Sequence, residues 1–296
     1  KGNFMHPLIL DGKLIAKQIK NELKVRVAEL KGHGINPKLS IVMIGSYPPS
    51  LIYVSNKVNA CKQLGIESEV IQFPEETQEQ EVIDTINRLN ENPAVHGIIL
   101  QLPLPQHIDT EVMLGLIAPN KDVDGLTPIN LGRLLAGNPV FVPATPAGIV
   151  ELLRRYSIKT SGRRTVIIGR GLLVGRPLAN LLLRKGEYGD ATIVVTHSQT
   201  KDLISICKIA EILVVAVGKP NFVTGEMINE GVVIIDAGIN RTNEGIVGDV
   251  NFESAVRKSS AITPVPGGVG PMTVAMLLSN TVLAAELNSG LKTERQ

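Results

Sequence analysis

Tyr53 and Lys57 stand four residues apart in the stretch LIYVSNKVNACKQL, Leu51–Leu64. On a helix that spacing places both side chains on one face. An aromatic ring beside an ammonium group offers a stacking surface for a flat ligand, with a proton carrier in reach. The plain alternative is a snorkelling lysine next to a half-buried tyrosine, and the pair alone does not decide. Two further pieces bring polar groups of the same kind. Gln101 opens Gln101-Leu-Pro-Leu-Pro105 at the end of a short apolar run, and Lys121-Asp-Val-Asp-Gly125 carries two carboxylates. Those carboxylates either form the turn itself or leave one, Asp122 or Asp124, to accept hydrogen bonds from the amino group and ring N–H of a heterocycle.

A second group of residues suits a dinucleotide. Gly169-Arg-Gly-Leu-Leu-Val-Gly175 follows an apolar strand and precedes a helix. Glycines there let backbone approach a pyrophosphate, and the helix start favours negative charge. The spacing is one residue longer than the usual fingerprint, and an ordinary glycine turn is the alternative. The next strand ends in Thr196-His-Ser-Gln-Thr200, with no carboxylate for the ribose hydroxyls. Arg170 in the glycine loop and the hydroxyls near Ser198 favour NADP over NAD, because a guanidinium pairs with a 2′-phosphate. Strand-end turns at Ala216–Pro220, containing Gly218, and at Asp236–Asn240, containing Ile239, are expected to line the nicotinamide side. Thr263–Thr273 holds three glycines and three prolines. That density fixes an irregular backbone, either as a rigid connector or as a ligand contact.

These groups need an α/β scaffold. Asp11 caps a helix with apolar positions Leu14, Ile15, Ile19, Leu23, Val27 and Leu30, closed by Gly32 and Gly34. Leu39–Ile44, Ile66–Phe73 and Val95–Leu100 read as strands alternating with helices. One of those helices carries Tyr53 and Lys57 and ends at Gly65; another runs to Leu89 from a capping box of Thr77 with Gln80. Thr145-Pro146 starts a helix. A second series follows, with strands at Thr165–Ile168, Thr192–Val195, Ile212–Ala216 and Val232–Asp236 and helices beginning near Val174, Lys201 and Gly225. Thr273 caps a last helix to about Leu287. The expected architecture is two domains: residues 5–145, and a Rossmann-like doubly wound domain over 146–272. The helix at about 273–290 packs back on the first.

Bulk properties exclude several classes. The chain has 296 residues, 44% hydrophobic and 20% charged, with net charge +2. There is no long basic run, no Trp and only 3% aromatics, so nothing points to nucleic acid. Cys61 and Cys207 are far apart in no metal or disulfide pattern, no metal is implied, and a reducing cytoplasm is the default. No apolar run reaches the length needed to span a bilayer. Lys1–Phe4, ahead of Met5, reads as a leftover of expression and not a signal peptide. Asn288–Gln296 reads as a frayed end.

Taken together, Tyr53–Lys57, Gln101–Pro105, Lys121–Gly125, Pro143-Ala-Thr-Pro146, the 169–177 loop, Asp236–Asn240 and Pro264–Thr273 resemble one family. It is the bifunctional methylenetetrahydrofolate dehydrogenase/cyclohydrolases of bacterial type. The resemblance implies a folate domain and an NADP domain with a cleft between them, a cytoplasmic homodimer, and a place in one-carbon metabolism supplying purine synthesis. It implies that Tyr53 stacks on the pterin, that Lys57 is the catalytic lysine with Gln101 as its partner, and that Asp124 holds the pterin edge. Pro266, Gly267 and Gly270 are implied on the substrate side. Thr145, Gly169, Arg170, Gly171, Val174, Gly175, Ser198, Gly218 and Ile239 are implied for the cofactor. The family often has Ser where this chain has Gly171, which leaves one hydroxyl fewer for the cofactor phosphates. Arg184–Asp190 also looks longer than the family's link. Two rivals remain: an NADP-dependent dehydrogenase of another small substrate, which leaves Tyr53, Lys57, Gln101 and Asp124 without joint purpose, and a non-catalytic folate or nucleotide sensor.

Overall fold

β1 (Leu8–Ile9) leads into α1 (Gly12–Gly32), whose cap is Asp11: its Oδ1 accepts from Leu14 N at 2.9 Å. Ile15, Ile19, Leu23, Val27 and Leu30 are buried as the helical stripe requires, while Leu14 is half exposed. The computed structural model describes residues 7–243 and 245–292; Lys1–Phe4 and Met5 lie outside the described residues. The chain divides into two units. One holds the residues up to Lys17 with Thr145–Thr273, the other Gln18–Ala144 with Val274 onward. Residues 7–17 thus group with the later half, whereas the expected first domain ran over residues 5–145. The reason is that β1 adds to the later half's sheet.

The unit of Gln18–Ala144 contains β2 (Lys38–Ile44), α2 (Pro48–Leu64), β3 (Glu67–Phe73), α3 (Glu79–Glu91), β4 (Gly97–Leu100), α4 (Thr110–Leu116) and α5 (Pro128–Leu135). Its sheet is parallel in the order β3-β2-β4. Six of seven β2 residues are buried, as a central strand covered on both faces demands. α2 ends at Gly65 in the left-handed conformation, φ +71°, with its N–H returned to the last turn. The expected capping box of α3 is absent. Gln78 is the cap residue and makes no side-chain bond, while Gln80 Nε2 donates to Asp84 Oδ1 at 2.8 Å. Thr77 is instead buried, its carbonyl 3.0 Å from His107 Nε2.

The other unit runs α6 (Ala144–Arg155), β5 (Arg164–Ile168), α7 (Gly175–Leu182), β6 (Thr192–Thr196), α8 (Leu203–Lys208), β7 (Ile212–Val215), β8 (Val232–Asp236), the hairpin β9 (Asn240–Thr242) and β10 (Gly245–Val247), α9 (Phe252–Val256) and β11 (Ser259–Ile262). Its six-stranded sheet is parallel throughout, in the order β1-β11-β8-β7-β5-β6. Strand order reverses at β5, with β6 laid on one side of it and β7 on the other, and the gap between β5 and β7 is the topological switch point at which such sheets bind ligands. One face is a continuous apolar core of Val166, Ile168, Leu213, Val215, Ile234 and Ile262. No helix begins near Gly225, only a single 3-10 turn, Gly225–Met227. Val223 is held in an extended bridge to Val250, and Gly225 N is taken by Ser254 Oγ at 3.0 Å, which leaves no room for an α-helical start. α6 begins at Ala144, so Thr145 lies inside its first turn and does not cap it.

α10 (Val269–Asn288) carries the chain from this unit back to the first. Thr273 is not its cap either: it stands one turn inside, its Oγ1 directed at Val269 O at 3.3 Å. The expectation that no apolar run reaches membrane-spanning length also needs correction, because α10 meets that test by length and composition. Most of it is buried inside the protein. It carries Asn280, hydrogen-bonded to two carbonyls, and Glu286, which takes a bidentate bond from Arg26 at 2.7 Å on each oxygen. Those are the marks of a core helix.

Candidate active site and dinucleotide site

The loop after β2 turns the chain into α2 through Pro48 and Pro49, and α2 presents Tyr53 and, one turn on, Lys57. Val54, Ala60, Cys61 and Leu64 anchor the helix in the core. Leu51 and Ile52 remain exposed beside Tyr53. The β4 ladder continues one residue further, with Gln101 N donating to Val42 O at 2.8 Å. Gln101 is buried, and its amide is fixed at both ends. Nε2 donates to Leu102 O at 2.8 Å, so Oε1 faces Lys57 Nζ and accepts from it at 3.0 Å. The Leu102–Pro103 peptide is cis.

Lys121–Val123 lies along the other side of β4, with a parallel bridge between Ile98 and Asp122. Val123 is fully buried over Gly97, where an added Cβ would meet its methyl carbons at 2.8 and 2.9 Å. The two carboxylates of this turn now separate. Asp122 is consumed by structure: it accepts from Leu126 N at 3.1 Å, Thr127 N at 2.8 Å and Asn130 Nδ2 at 2.8 Å. Asp124 accepts no hydrogen bond among the described residues and remains available. Asn280 of α10 holds its neighbour in place, donating from one amide to Val123 O at 2.8 Å and Val142 O at 3.0 Å. Sequence reasoning did not single out Asn280; a polar residue in the apolar run of the last helix was its only signal.

Electrostatics ties Lys57 to Asp124. Burial lowers the Lys57 pKa below the ordinary lysine value, opposed by the charges of Asp124 and Cys61. Burial raises Asp124, opposed by Lys57 and aided by Asp122. A lysine so placed can stand as a neutral amine nearer neutral pH and accept a proton.

In the other unit, the loop after β5 is shaped for close backbone approach. Gly169 has φ +112°, and an added Cβ would lie 2.1 Å from Ala216 O. At Gly175 it would lie 2.0 Å from Gly169 O. Gly171 faces open space. Among the described residues, no N–H of Gly171 to Val174 donates to a protein acceptor, which leaves a run of donors ahead of α7. A diphosphate fits that donor set. Arg170 and Ser198 are exposed at the carboxyl ends of the neighbouring strands β5 and β6, with no hydrogen bond between them. Gly218 has φ +65° after β7. Ile239 is exposed after β8, and its Cδ1 lies 3.5 Å from where a Cβ at Gly270 would be. Thr145 Oγ1 is 3.0 Å from Thr273 Oγ1. Pro266 follows a cis peptide bond, and Gly267, φ +111°, gives its carbonyl to Lys13 N at 2.9 Å. Part of the glycine-rich segment thus serves to seat the start of α1.

Two buried acids were not read as a pair from sequence. Asp236 accepts from Gly238 N, Asp249 N and Val250 N at 2.9 to 3.0 Å. Burial pushes it up to about 6, opposed by those bonds and reinforced by the charge of Asp249. The signal for Asp249 was an acid inside the apolar run Ile246-Val-Gly-Asp-Val250.

The catalytic-domain model of the tetrahydrofolate dehydrogenase/cyclohydrolases matches residues 10–124, and their NAD(P)-binding domain matches residues 143–289. The bifunctional protein FolD of Acetivibrio thermocellus is 49% identical over 289 residues, covering 97% of this chain and 100% of that protein. The crystal structure of the bifunctional enzyme FolD, a methylenetetrahydrofolate dehydrogenase/cyclohydrolase from Campylobacter jejuni, superposes with a TM-score of 0.90 at 47% identity, covering 94% of this chain and 98% of that one. The Trypanosoma brucei methylenetetrahydrofolate dehydrogenase-cyclohydrolase, solved with NADP cofactor and an inhibitor, gives 0.90 at 38% identity over 97% and 99% of the chains. On the matched domains, these relatives and the site geometry, the chain belongs to the tetrahydrofolate dehydrogenase/cyclohydrolase family.

Proposed function

We propose that this chain oxidises 5,10-methylenetetrahydrofolate to 5,10-methenyltetrahydrofolate with NADP and hydrolyses the product to 10-formyltetrahydrofolate. The observation that carries the reading is the set of Lys57 on Gln101, with Asp124 left unbonded beside them, at the end of β4. Tyr53, next to exposed Leu51 and Ile52, supplies the stacking face for the pterin. Asp124 accepts from the pterin's amino and ring N–H groups, the role that Asp122 is not free to take. Pro266, Gly267 and Gly270 contribute to the substrate side.

NADP, when bound, accepts the hydride that leaves the methylene carbon. Gly169, Arg170, Gly171, Val174 and Gly175 hold its diphosphate and 2′-phosphate together with Ser198. Thr145, Gly218 and Ile239 serve its nicotinamide end. The unit of Thr145–Thr273 is accordingly the cofactor domain, and Gln18–Ala144 with the rest of α10 is the folate domain.

The two reactions make different demands on protons. Hydride loss from the methylene compound yields the methenyl cation without releasing a proton. Hydrolysis adds water to that cation and opens the ring to the formyl product, releasing one proton. Lys57 accepts it, since burial and the nearby cation favour the neutral amine, and Gln101 fixes the amine's direction. A homodimer in the cytoplasm is part of the same reading, and the family resemblance supports it. Sedimentation of the purified protein tests the dimer.

The deciding assay gives the protein methylenetetrahydrofolate with NADP⁺ and, separately, with NAD⁺, following reduced cofactor and methenyl product together. Reduction of NADP⁺ with accelerated methenyl decay supports the reading. Turnover with NAD⁺ alone would remove the role given to Arg170. Folate binding without any turnover would make the protein a sensor.

A further inference from the structure

Asp249 is fully buried, and its carboxylate gathers four donors. Oδ2 accepts from Val217 N at 2.6 Å and Gly218 N at 2.9 Å; Oδ1 accepts from Lys219 N at 3.0 Å and Asn240 Nδ2 at 2.8 Å. Three consecutive backbone N–H groups thus point at one side chain. Asp249 is itself tethered, its N–H donating to Asp236 Oδ1 at 3.0 Å. Asp236 N in turn donates to Thr263 Oγ1 at 2.7 Å. Two glycines make the room. An added Cβ at Gly238 would lie 2.3 Å from the Asp249 carboxyl carbon, and at Gly248 it would lie 1.9 Å from Asp236 Oδ2.

Among the described residues, no lysine or arginine ion-pairs with either acid. A buried carboxylate held by neutral N–H groups alone is an expensive way to fill space, and an apolar side chain would pack at less cost. What the acid does that an apolar residue cannot is impose a conformation on Val217–Lys219, which begin one residue beyond the end of β7. Those residues leave the sheet beside the Ala216 carbonyl that closes over Gly169. The fourth donor, Asn240, directly follows Ile239 at the exit of the adjacent strand β8. One carboxylate therefore fixes both strand exits next to the switch point.

We propose that Asp249 is a positioning residue for the dinucleotide, presetting Val217–Lys219 and Asn240 so that Gly218 and Ile239 stand ready for the nicotinamide end before it binds. This rests on the reading of those two turns given under the proposed function. Prepaid order in a binding loop appears as affinity, and sub-ångström misplacement of a hydride acceptor appears as rate.

The test compares wild type with Asp249→Asn by calorimetric titration of NADP⁺, with thermal unfolding and methenyl hydrolysis measured on the same samples. The substitution should weaken NADP⁺ binding by about tenfold or more and slow hydride transfer by about 100-fold. Methenyl hydrolysis, which needs Lys57 and no cofactor, should fall far less. Equal NADP⁺ affinity in both proteins would overturn the proposal. So would a parallel loss of binding, hydrolysis and melting temperature, which marks a general folding role. Should that variant not fold, Asn240→Ala removes a single donor and should give the same pattern at smaller amplitude; an unchanged affinity there counts against the proposal. Amide exchange in cofactor-free wild type gives an independent arm. Val217, Gly218 and Lys219 should be protected although they lie beyond the strand end, and exchange at solvent rates would contradict the preset loop. A wild type that binds no NADP⁺ would sink the function reading, while the exchange result would still judge the cradle.

Discussion

Lys57 is held by Gln101 at 3.0 Å while burial lowers its pKa, and the sign of the resulting pH effect follows directly. A depressed lysine is neutral, and able to take a proton, above its pKa; it is charged and inert below. Methenyl hydrolysis should therefore fall on the acid side with an inflection below the ordinary lysine range, whereas hydride transfer, which moves no proton, should lack that limb. Rate profiles of the two half-reactions against pH check this. The neighbouring acids make a second prediction. Asp124→Ala should weaken folate binding and leave NADP⁺ binding and stability nearly unchanged. Asp122→Ala should strand three donors and cost about 3 kcal/mol or more in a denaturant titration. Tyr53 and Lys57 were legible in sequence because their relation is local to one helix. The division of labour between Asp122 and Asp124 was not, because it depends on which backbone groups the following turn brings to each carboxylate. Asn280 was out of reach for the same reason: the carbonyl it holds is 157 residues away.

Among the elements, the strand-to-helix turn after β5 carries the sharpest contrast. Gly169→Ala would place a Cβ 2.1 Å from the Ala216 carbonyl at a φ of +112° that L residues rarely adopt. Loss of NADP⁺ binding and a lowered melting temperature are expected. Gly171→Ser meets no atom within 4 Å, so stability should change by no more than about 0.5 kcal/mol. One added hydrogen bond of about 1 kcal/mol should tighten NADP⁺ roughly fivefold. Calorimetric titration of both variants decides. The strands were readable because fully buried parallel strands are near-continuous apolar runs, as in Val232–Asp236. The helix caps at Thr77, Thr145 and Thr273 were misread because each helix starts elsewhere, α3 after Gln78, α6 at Ala144 and α10 at Val269, while the Thr145 and Thr273 hydroxyls face each other. The short turn at Gly225 shows a tertiary override, with the bridge from Val223 to Val250 beating local propensity.

At the scale of the whole molecule, the chain passes between its units three times, within α1, at the start of α6 and within α10, and neither unit is a single contiguous segment. Periodicity revealed α1 and α10; that β1 completes the later sheet was not visible, since a two-residue strand carries no periodic signal. Leu10, fully buried, follows that strand and donates its N–H to Ile262 O at 2.9 Å. Leu10→Ala should cost about 2–5 kcal/mol, read by denaturant unfolding, although the residue lies far in sequence from the rest of its unit.

The central claim is that one lysine serves hydrolysis and not oxidation. Lys57→Met, assayed in one preparation for NADPH formation from methylenetetrahydrofolate and for methenyl decay, tests it most directly. Hydrolysis should fall by a factor of about 100 or more while hydride transfer survives. Hydrolysis near the wild-type rate would contradict it.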